Sequence, residues 1–374
     1  MKFTCLQENL NFGLQTTGHL INKNINLPIL NNVLVELKDN ILHLSSTNLE
    51  IGIKCAVRCK SEENGSFTVD AKLFSEYVNL LPNDQVNVNL EKNDFLNISC
   101  KGQNTKIKGI DSADFPVIPS LEKINSYKVS ISEMKKAISQ TVFSVSTSDS
   151  RPEIGGVLMS FNKLNKGNLF LVGTDSYRLA EKRVAISGSE DEKEIIVPLK
   201  TLQEVLRILS NFKENKEVNE MEIFVGDNQI LFCLDNIELV SRIVDGKYPD
   251  YRQIIPQSSK TTVIVNRAEL VKTIKTVALF SKVGICDISL DFNQEKGLVL
   301  KANNIQVGES VGEVDVIFEG QNNQMVLNYR YLLEVLNNID AEEVKVSLID
   351  NNVPCSIMAK DKTDYLYIIM PIKQ

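Results

Sequence analysis

The sequence of 374 residues has no tryptophan and only two histidines, His19 and His43. It contains no GxxxxGK[ST], GxGxxG, HExxH or GxSxG motif, so phosphate-loop, dinucleotide, zinc-protease and serine-hydrolase chemistry have no support in it. No stretch approaches the roughly 18 apolar residues that span a bilayer, and the start, MKFTCLQENLNFG, lacks the apolar run of a signal peptide. These absences favour a cytoplasmic protein without a catalytic site or a cofactor.

The seven cysteines form neither a disulfide framework nor a metal-ligand pattern. Their odd number and scattered spacing favour reduced, buried thiols. Cys55 and Cys59 could face the same side of a strand, but no second pair completes a set of four ligands. Asp361 and Asp364 are also spaced like metal ligands, although the KDKTD segment is more typical of the tip of a hairpin. We therefore expect no metal site.

The sequence contains the same pattern three times, a strand that leads into an amphipathic helix, followed later by a second such helix. The first set of segments is 3–21, 129–145 and 262–280, and the second set is 69–82, 197–210 and 327–339. Corresponding landmarks lie roughly 125–135 residues apart, which is the spacing of domains and not of solenoid repeats. The sequence predicts three related tandem domains, 1–122, 123–256 and 257–374.

Alternating apolar residues and turn dipeptides between the helices predict many antiparallel strands. Each domain therefore has an α+β plan, with two helices on one face of a sheet. Ser132 precedes an apolar stripe of helical period, so we predict that it caps the helix that follows. A second helix of this kind is predicted to begin at Asn266.

The formal net charge of −7 argues against a protein that holds nucleic acid through overall positive charge. A basic surface confined to one side remains compatible with that total. Lys200 and Arg207 are seven residues apart on one predicted helix and share a face, while Lys272 and Lys275 lie off the apolar stripe of another. Acidic residues share these helices, so a plain solvated face is the simpler alternative for any single helix.

Six segments, taken together and in order along the chain, have the pattern of a known family. They are LPILNNVL (27–34), ADFP (113–116), RPEIGGVL (151–158), TDSYRLA (174–180), GKYPDYRQIIP (246–256) and YIIMPIKQ (367–374). In these segments the chain resembles the bacterial β sliding clamps, the processivity subunits of DNA polymerase III. The similarity extends over the full length and keeps the motif order and the number of domains.

The resemblance implies a head-to-tail homodimer, a ring of six domains with sheets outside and helices inside that encloses double-stranded DNA. The size of the central hole can be estimated, because a domain of about 125 residues has a radius of gyration near 14 Å. Treated as spheres roughly 35 Å across, three such domains leave a gap of about 5 Å, whereas six leave a gap about as wide as one domain. The resemblance also implies that Lys200, Arg207, Lys272 and Lys275 face the DNA.

The family binds short peptides of its partners, which include the replicative polymerase and the clamp loader, in an apolar pocket. Matched position by position, the resemblance implies that the pocket is formed by Ile154, Thr174, Tyr177, Arg178, Leu179, Pro249, Ile254, Asn328, Tyr331, Pro354, Met370, Pro371 and Ile372. Apolar walls with a few polar groups suit a short extended peptide. For Leu179 and Ile254, simple core packing is the alternative.

The resemblance implies an apolar subunit interface formed by Ile107 on one side and by Leu279 and Phe280 on the other. The chain departs from the common family pattern at Ser176-Tyr177 and at Lys373-Gln374, which bear on peptide preference. It also departs at Asn24 and at Pro152-Glu153, so no DNA contact is inferred for those positions.

Two other classes of protein remain as alternatives. A three-domain, β-rich adhesion or structural protein would need a secretion signal and would gain from disulfides. An enzyme of unrecognised type would need a cleft with clustered carboxylates of perturbed pKa.

Overall fold

A computed structural model describes residues 1–20, 27–91, 94–148, 150–212 and 218–373. They form two compact units, one of Met1–Ile131 with Glu204–Ile243 and the other of Ser132–Gln203 with Val244–Gln374. The division passes through the predicted central domain, and the domain boundaries at 122 and 256 stay predictions. Asn24 and Gln374, at which the chain departs from the family pattern, lie outside the described residues.

Six α-helices occur in the described residues, each where a repeat predicts one: α1 Gln7–Thr17, α2 Ala71–Leu80, α3 Ile131–Thr141, α4 Leu199–Asn211, α5 Arg267–Val277 and α6 Tyr329–Asn338. The predicted start of α5 is confirmed: Asn266 directly precedes the helix and caps it, since its Oδ1 accepts a hydrogen bond from the Glu269 N–H at 3.1 Å. The predicted cap of α3 is wrong: that helix begins at Ile131, which places Ser132 inside its first turn. Within the described residues, no helix has the length and apolar character needed to cross a membrane.

Short 3-10 turns complete the helical structure. They lie at Gly18–Leu20, Pro28–Asn31, Ser112–Asp114, Val142–Ser144, Pro152–Ile154, Tyr251–Ile254 and Ala278–Phe280.

Strands make up most of the remaining structure. In chain order they are β1 Lys2–Leu6, β2 Asn32–Lys38, β3 Ile41–Thr47, β4 Ile51–Arg58, β5 Lys60–Glu63, β6 Gly65–Asp70, β7 Gln85–Glu91, β8 Phe95–Cys100, β9 Gln103–Ile110, β10 Tyr127–Ser130, β11 Gly156–Phe161, β12 Asn168–Thr174, β13 Arg178–Ala185, β14 Ser187–Gly188, β15 Lys193–Pro198, β16 Glu220–Val225, β17 Gln229–Leu234, β18 Ile237–Arg242, β19 Thr261–Asn266, β20 Asp287–Asn293, β21 Gly297–Asn304, β22 Gly308–Val314, β23 Val316–Gly320, β24 Asn323–Asn328, β25 Glu343–Leu348, β26 Cys355–Ala359 and β27 Tyr365–Ile369.

In the first unit the strands follow the order β10-β16-β17-β18-β4-β3-β2-β6-β9-β8-β7-β1-β5. Strand β18 from the middle of the chain pairs antiparallel with β4, so Ser241 lies opposite Ile51. Helix α1 packs closely on this sheet, since a Cβ at Gly13 would lie 2.7 Å from Leu44 Cδ1 and 2.8 Å from Val57 Cγ2. Any side chain at that point of the helix would require Leu44 and Val57 to shift.

The second unit contains a nine-stranded sheet, β15-β11-β12-β13-β27-β26-β25-β19-β23, and a four-stranded sheet, β22-β21-β20-β24. Strand β13 pairs antiparallel with β27, so Arg178 lies opposite Ile369. One hydrophobic core joins α5 and α6 to both sheets; it includes Ile274, Leu336, Leu290 and Tyr367.

The KDKTD segment is the hairpin tip between β26 and β27, as the alternative to a metal site predicts. Asp364 Oδ2 accepts a hydrogen bond from the Lys182 ammonium, whose side chain is only 1% exposed. Within the described residues no group of three or more His, Cys, Asp or Glu side chains is arranged to hold a metal ion.

All seven cysteines are free thiols, of which Cys59 and Cys233 are half-buried and the others are buried. Burial raises the pKa of Cys5 to about 12 and that of Cys233 to about 11.

Candidate functional site

Three segments of the second unit meet where most of the predicted pocket residues lie. They are the β12–β13 turn at 174–178, residues 248–254, and the end of β27 with the tail that follows it, 368–372; we call this place the C-terminal junction. The β12–β13 turn is fixed by its own side chains. Thr174 Oγ1 donates to the Arg178 carbonyl at 2.6 Å, and Asp175 Oδ1 accepts from the N–H groups of Tyr177 and Arg178 at 2.9 and 3.1 Å. This turn leaves the Tyr177 side chain 65% exposed.

The floor of the C-terminal junction is apolar. Its buried cluster consists of Ile154, Leu158, Val172, Leu179, Ile196, Tyr248, Tyr251 and Ile368, with Ile254 partly buried against it. The Tyr248 hydroxyl donates to the Val172 carbonyl at 3.1 Å, which holds the 248–254 segment on the sheet. Leu179 is fully buried and belongs to this core, whereas Ile254 keeps part of its surface accessible.

Arg178 is the most connected side chain of the junction. Its Nε donates to Asp175 Oδ2 at 2.9 Å, one terminal nitrogen donates to Glu334, and the other donates to the Phe143 carbonyl at 2.6 Å. The guanidinium carbon also lies 4.3 Å from the centre of the Tyr331 ring, within cation–π range. Arg178 therefore links β13 to α6, and its guanidinium is already paired with the carboxylates of Asp175 and Glu334.

The ionisation of Arg178 reflects this environment. Burial is the largest influence and acts to lower its pKa, but Tyr367, Glu334 and Asp175 together outweigh burial and raise the pKa above its ordinary value. The group is a permanent cation held between two carboxylates.

The tail is anchored by backbone hydrogen bonds. The Met370 N–H donates to the Tyr177 carbonyl and the Ile372 N–H donates to the Val326 carbonyl, each at 2.8 Å. Met370, Pro371 and Ile372 are all half-buried, so part of each side chain remains accessible at the rim.

The remaining predicted pocket residues lie beside this tail. Pro354 precedes β26, whose Cys355 pairs with Ile369, and this register brings Pro354 opposite Met370. Asn328 is used to cap α6, since its Oδ1 accepts from the Arg330 N–H at 2.9 Å. Pro249 is half-buried in the 248–254 segment.

Ser176 and the residues around it form a polar edge of the junction. Ser176 has a positive φ of 78°, and its hydroxyl accepts a hydrogen bond from Arg151 at 3.0 Å. Arg151 also pairs with Glu153 at 3.0 Å. The departures from the family pattern at Pro152-Glu153 and Ser176-Tyr177 thus lie close together.

The four cations predicted to face DNA differ in their surroundings. Lys200, Lys272 and Lys275 are exposed, and none has an ion pair within the described residues. Arg207 is partly buried, because its guanidinium donates to Glu204 Oε2 at 2.9 Å and to the carbonyls of Gln15 and Thr16 at 3.1 and 2.7 Å. Arg207 thus joins α4 to the end of α1, and less of its charge is presented to solvent.

The residues predicted for the interface also differ. Leu279 is 76% exposed in the 3-10 turn after α5, and Phe280 is half-buried beside it. Ile107 is only 4% exposed, because strand alternation turns it into the core of the first unit and turns Lys106 and Lys108 outward. The Ile107 side chain is therefore not part of the surface of this chain.

Sequence reasoning missed two exposed apolar residues near Leu279. Ile305 is 99% exposed, and Val307 is also exposed. The turn that carries Ile305 is tied to the end of α5, since Asn304 Nδ2 donates to the Ser281 carbonyl at 3.3 Å. We call Leu279, Phe280, Ile305 and Val307 the apolar patch. An apolar residue between Asn304 and Gln306, in a turn where polar residues are usual, was the available signal.

Comparison with known proteins gives one consistent result. Family models of the DNA polymerase III beta subunit match its N-terminal domain at residues 1–119, its central domain at 128–250 and its C-terminal domain at 252–373. The beta sliding clamps of Bacillus subtilis and Pseudomonas aeruginosa are 28% and 29% identical to the chain, with 100% of each protein covered. The comparisons do not favour an adhesion protein or an enzyme.

Solved structures agree with these sequence matches. The crystal structure of the DNA polymerase III subunit beta from Pseudomonas aeruginosa has a TM-score of 0.93 at 28% identity and is covered completely, as is this chain. That of the beta subunit from Thermotoga maritima has a TM-score of 0.92 at 28% identity, with 100% of this chain and 99% of that chain covered. The predicted α+β fold of three tandem domains is thereby confirmed, and the chain belongs to the DNA polymerase III beta subunit family, the sliding clamps.

Proposed function

We propose that this chain is a sliding clamp of DNA replication, a non-catalytic processivity factor that encloses double-stranded DNA as a homodimer. The observation that carries the proposal is the match of three clamp domains, in order and over the whole chain, to a structure with a TM-score of 0.93. The clamp acts in the cytoplasm and holds the replicative polymerase on DNA. Enclosure replaces tight binding, which fits a chain whose net charge is −7.

The apolar patch supports a second copy of the chain as partner. Exposed apolar side chains that lie together on a surface mark protein interfaces. Strand β22 begins at Gly308 beside Phe280 and pairs with β21 on one side only within the described residues, so its other edge has free backbone groups. A second subunit that covers this edge satisfies those groups and buries the patch.

The complementary surface belongs to the first unit. Among the residues that the structure describes, strand β9 pairs with β8 at 103–108 and with β6 only at Gly109 and Ile110, which leaves 103–108 with one available edge. In this arrangement strand β9 contributes its backbone and its outward side chains, while Ile107 supports the strand from inside. A head-to-tail pairing of unlike surfaces closes into a ring when the two contacts are related by a two-fold axis.

The exposed lysines are suited to DNA that must move. Lys200, Lys272 and Lys275 supply positive potential from helices α4 and α5, and contacts of this kind with phosphates carry no sequence information. A few weak contacts allow sliding, whereas the topological link prevents loss. Arg207 contributes less, because its guanidinium is held by α1.

The C-terminal junction is the site for partner peptides. Its apolar floor, the accessible edges of Ile254 and Met370, and the exposed Tyr177 can hold a short extended segment of polymerase, clamp loader or another clamp-binding protein. Arg178 shapes the site by fixing the β12–β13 turn to α6.

The enclosure of DNA is tested by topology. The fluorescently labelled chain is loaded on a nicked plasmid with the clamp loader of its own cell and ATP, and the DNA fraction is separated by gel filtration before and after cutting at one site. We expect co-elution with the circle and loss from the linear form, because only a ring slides off an end. Equal retention on circular and linear DNA would contradict enclosure.

The proposed dimer interface is tested by charge. Leu279→Asp with Phe280→Asp should give monomers in sedimentation velocity, since two carboxylates cannot be buried in an apolar contact without a partner. Ile317→Asp is the matched control, an exposed apolar residue on β23 outside the apolar patch, and should leave the dimer intact. A dimer that survives the double change would refute this assignment of the interface.

A further inference from the structure

The first unit contains a turn built in the same way as the β12–β13 turn. Between β3 and β4, Thr47 Oγ1 donates to the Ile51 carbonyl at 2.9 Å and accepts from the Leu49 N–H at 3.0 Å. Asn48 Oδ1 accepts from the N–H groups of Glu50 and Ile51 at 3.0 and 2.8 Å. Leu49 has a φ of 75°, close to the 78° of Ser176. Residues 47–51 therefore repeat the hydrogen bonds of residues 174–178 one for one.

The strand that follows each turn also has an equivalent partner. Ile51 lies opposite Ser241, as Arg178 lies opposite Ile369. The Arg242 N–H donates to the Glu50 carbonyl at 3.1 Å, as the Met370 N–H donates to that of Tyr177. Arg242 thus occupies the position of Met370, and Glu50 occupies that of Tyr177. We call this place, with the chain segment at 115–119, the N-terminal junction.

A groove is open at the N-terminal junction. A cavity of about 250 Å³ is lined on its apolar side by Leu49, Ile51, Val117 and Val240. Val117 is 91% exposed and Leu49 is half exposed, so two apolar side chains flank the groove without being covered. Burial of such a pair by a ligand is favourable.

The floor of the N-terminal junction differs from that of the C-terminal junction because a glycine replaces a leucine. Gly52 stands where the C-terminal junction has Leu179, and a Cβ at Gly52 would lie 2.5 Å from Ile118 Cγ2. Ile118 therefore packs into the space that a larger side chain would need. The groove is narrow, and it suits one apolar side chain of moderate size.

The rim supplies a charge. Arg242 is exposed, and its guanidinium has neither an ion pair nor a side-chain hydrogen bond within the described residues. Glu50, whose carbonyl accepts from the Arg242 N–H, is also exposed, so a cation and an anion stand beside each other on this rim. A ligand carboxylate would be attracted by the Arg242 guanidinium and repelled by Glu50, so it would bind on the side of Arg242 that faces away from Glu50.

From these contacts we propose that the N-terminal junction is a second binding groove, which takes an extended peptide of a partner protein with an apolar side chain beside an aspartate or glutamate. The free Arg242 guanidinium selects the carboxylate, and Leu49, Val117 and Val240 enclose the apolar side chain. The site is separate from the C-terminal junction, and neither the ring nor DNA is needed for it.

The test uses fluorescein-labelled pentapeptides in which one leucine and one aspartate are placed at every pair of positions among serines. Their anisotropy is measured with the full-length chain. We expect the best member of the panel to bind saturably and to lose at least about tenfold in affinity when its aspartate is replaced by asparagine, which is the size of one charge-assisted contact. Arg242→Glu should weaken binding by at least as much, and Arg242→Lys by less.

The location is tested by the equivalent change at the other junction. Met370→Glu alters the same backbone position of the C-terminal junction and should not change the affinity for this peptide. Because Arg242 is exposed, its variants should unfold at the same urea concentration as the unaltered chain.

Three outcomes would overturn the proposal: no saturable binding up to about 1 mM peptide, binding that is indifferent to Arg242→Glu, or binding that is lost in Met370→Glu instead. This proposal rests on the anisotropy assay, whereas the clamp function is tested by retention on circular DNA without any peptide. Failure of one can therefore be distinguished from failure of the other.

Discussion

The N-terminal and C-terminal junctions share one backbone frame and differ in the side chains placed on it. In both, a threonine and an Asx residue hold the turn, and a strand from another part of the chain pairs beside it. At the C-terminal junction the residue after the turn is Arg178, tied to Glu334 and Phe143, whereas at the N-terminal junction it is the apolar, buried Ile51. The two junctions therefore share the hydrogen bonds within the turn and differ in the ion pairs of the residues that follow it.

The largest difference is the buried ion pair of Lys182 with Asp364, whose equivalents are Cys55 and Asn236. Asp364→Ala should lower the free energy of unfolding by about 3–5 kcal/mol, because it leaves a buried ammonium without a partner. Asn236→Ala should cost only about 1 kcal/mol, the value of its hydrogen bond to the Ala56 carbonyl. Urea unfolding followed by far-UV circular dichroism measures both, and equal costs would remove this contrast.

Arg178 gives the next largest effect. Arg178→Met should cost about 2–3 kcal/mol, because Asp175 and Glu334 lose the cation between them, although Glu334 keeps access to water. The matched change at the other junction, Ile51→Met, keeps the volume and should cost about 1 kcal/mol or less. Urea unfolding measures both costs. If Arg178→Met costs no more than Ile51→Met, the ion pairs of Arg178 do not contribute to the free energy of unfolding.

The two threonines should behave alike. Thr47→Val and Thr174→Val each remove two hydrogen bonds, one that the hydroxyl donates to a carbonyl and one that it accepts from a backbone N–H, and each should cost about 2 kcal/mol. Costs that agree within a few tenths of a kcal/mol would support one shared frame. A loss several-fold larger at one junction would break the equivalence from which the N-terminal groove is inferred.

The smallest predicted effect concerns how the free energy of unfolding depends on pH. The Lys182–Asp364 pair should contribute to this dependence, whereas its equivalents Cys55 and Asn236 should not. Burial is the largest influence on the pKa of Asp364 and acts to raise it, but the hydrogen bond and charge of Lys182 outweigh burial and lower the pKa below its ordinary value. A carboxyl whose pKa is lowered by folding stabilises the protein above its unfolded-state pKa of about 3.9, and this stability is lost as the pH falls through the lower folded-state pKa.

The urea midpoint of the unaltered chain should therefore fall more steeply between about pH 4 and pH 2 than that of Asp364→Asn, which has no carboxyl to protonate. If the urea midpoint depends on pH equally in the two proteins, Asp364 does not contribute to the pH dependence of stability. Asn236→Asp, which creates the carboxyl at the N-terminal junction without a lysine, is the matched control and should not steepen the slope in this range.

Local patterns in the sequence predicted the parts of the fold that depend on local physics. The six helices follow from apolar periodicity, the start of α5 at Asn266 from its position before an apolar stripe, and the hairpin at Asp364 from its turn composition. Ser132 was misplaced as a cap, because the apolar stripe does not specify the residue at which the first turn begins.

What the sequence could not predict involves partners far apart in the chain. Strand alternation around Ile107 identifies two faces, but only the packed sheet shows that Lys106 and Lys108 face outward. Likewise, no local pattern reveals that Arg207 binds the carbonyls at the end of α1. The residues proposed for the C-terminal junction came from the family pattern, while the links from Arg178 to Glu334 and Phe143 required the structure.

The thiols have a practical consequence for experiments that follow the ring in motion. Burial raises the pKa of Cys5, Cys55, Cys59, Cys100, Cys233 and Cys355, so little of the reactive thiolate is present in any of them near neutral pH. The seventh thiol, Cys286, is buried as well. A single cysteine introduced at an exposed position should therefore react with a maleimide dye well before the native ones. Distance measurements across an opening interface can start from the natural sequence, without first building a cysteine-free protein.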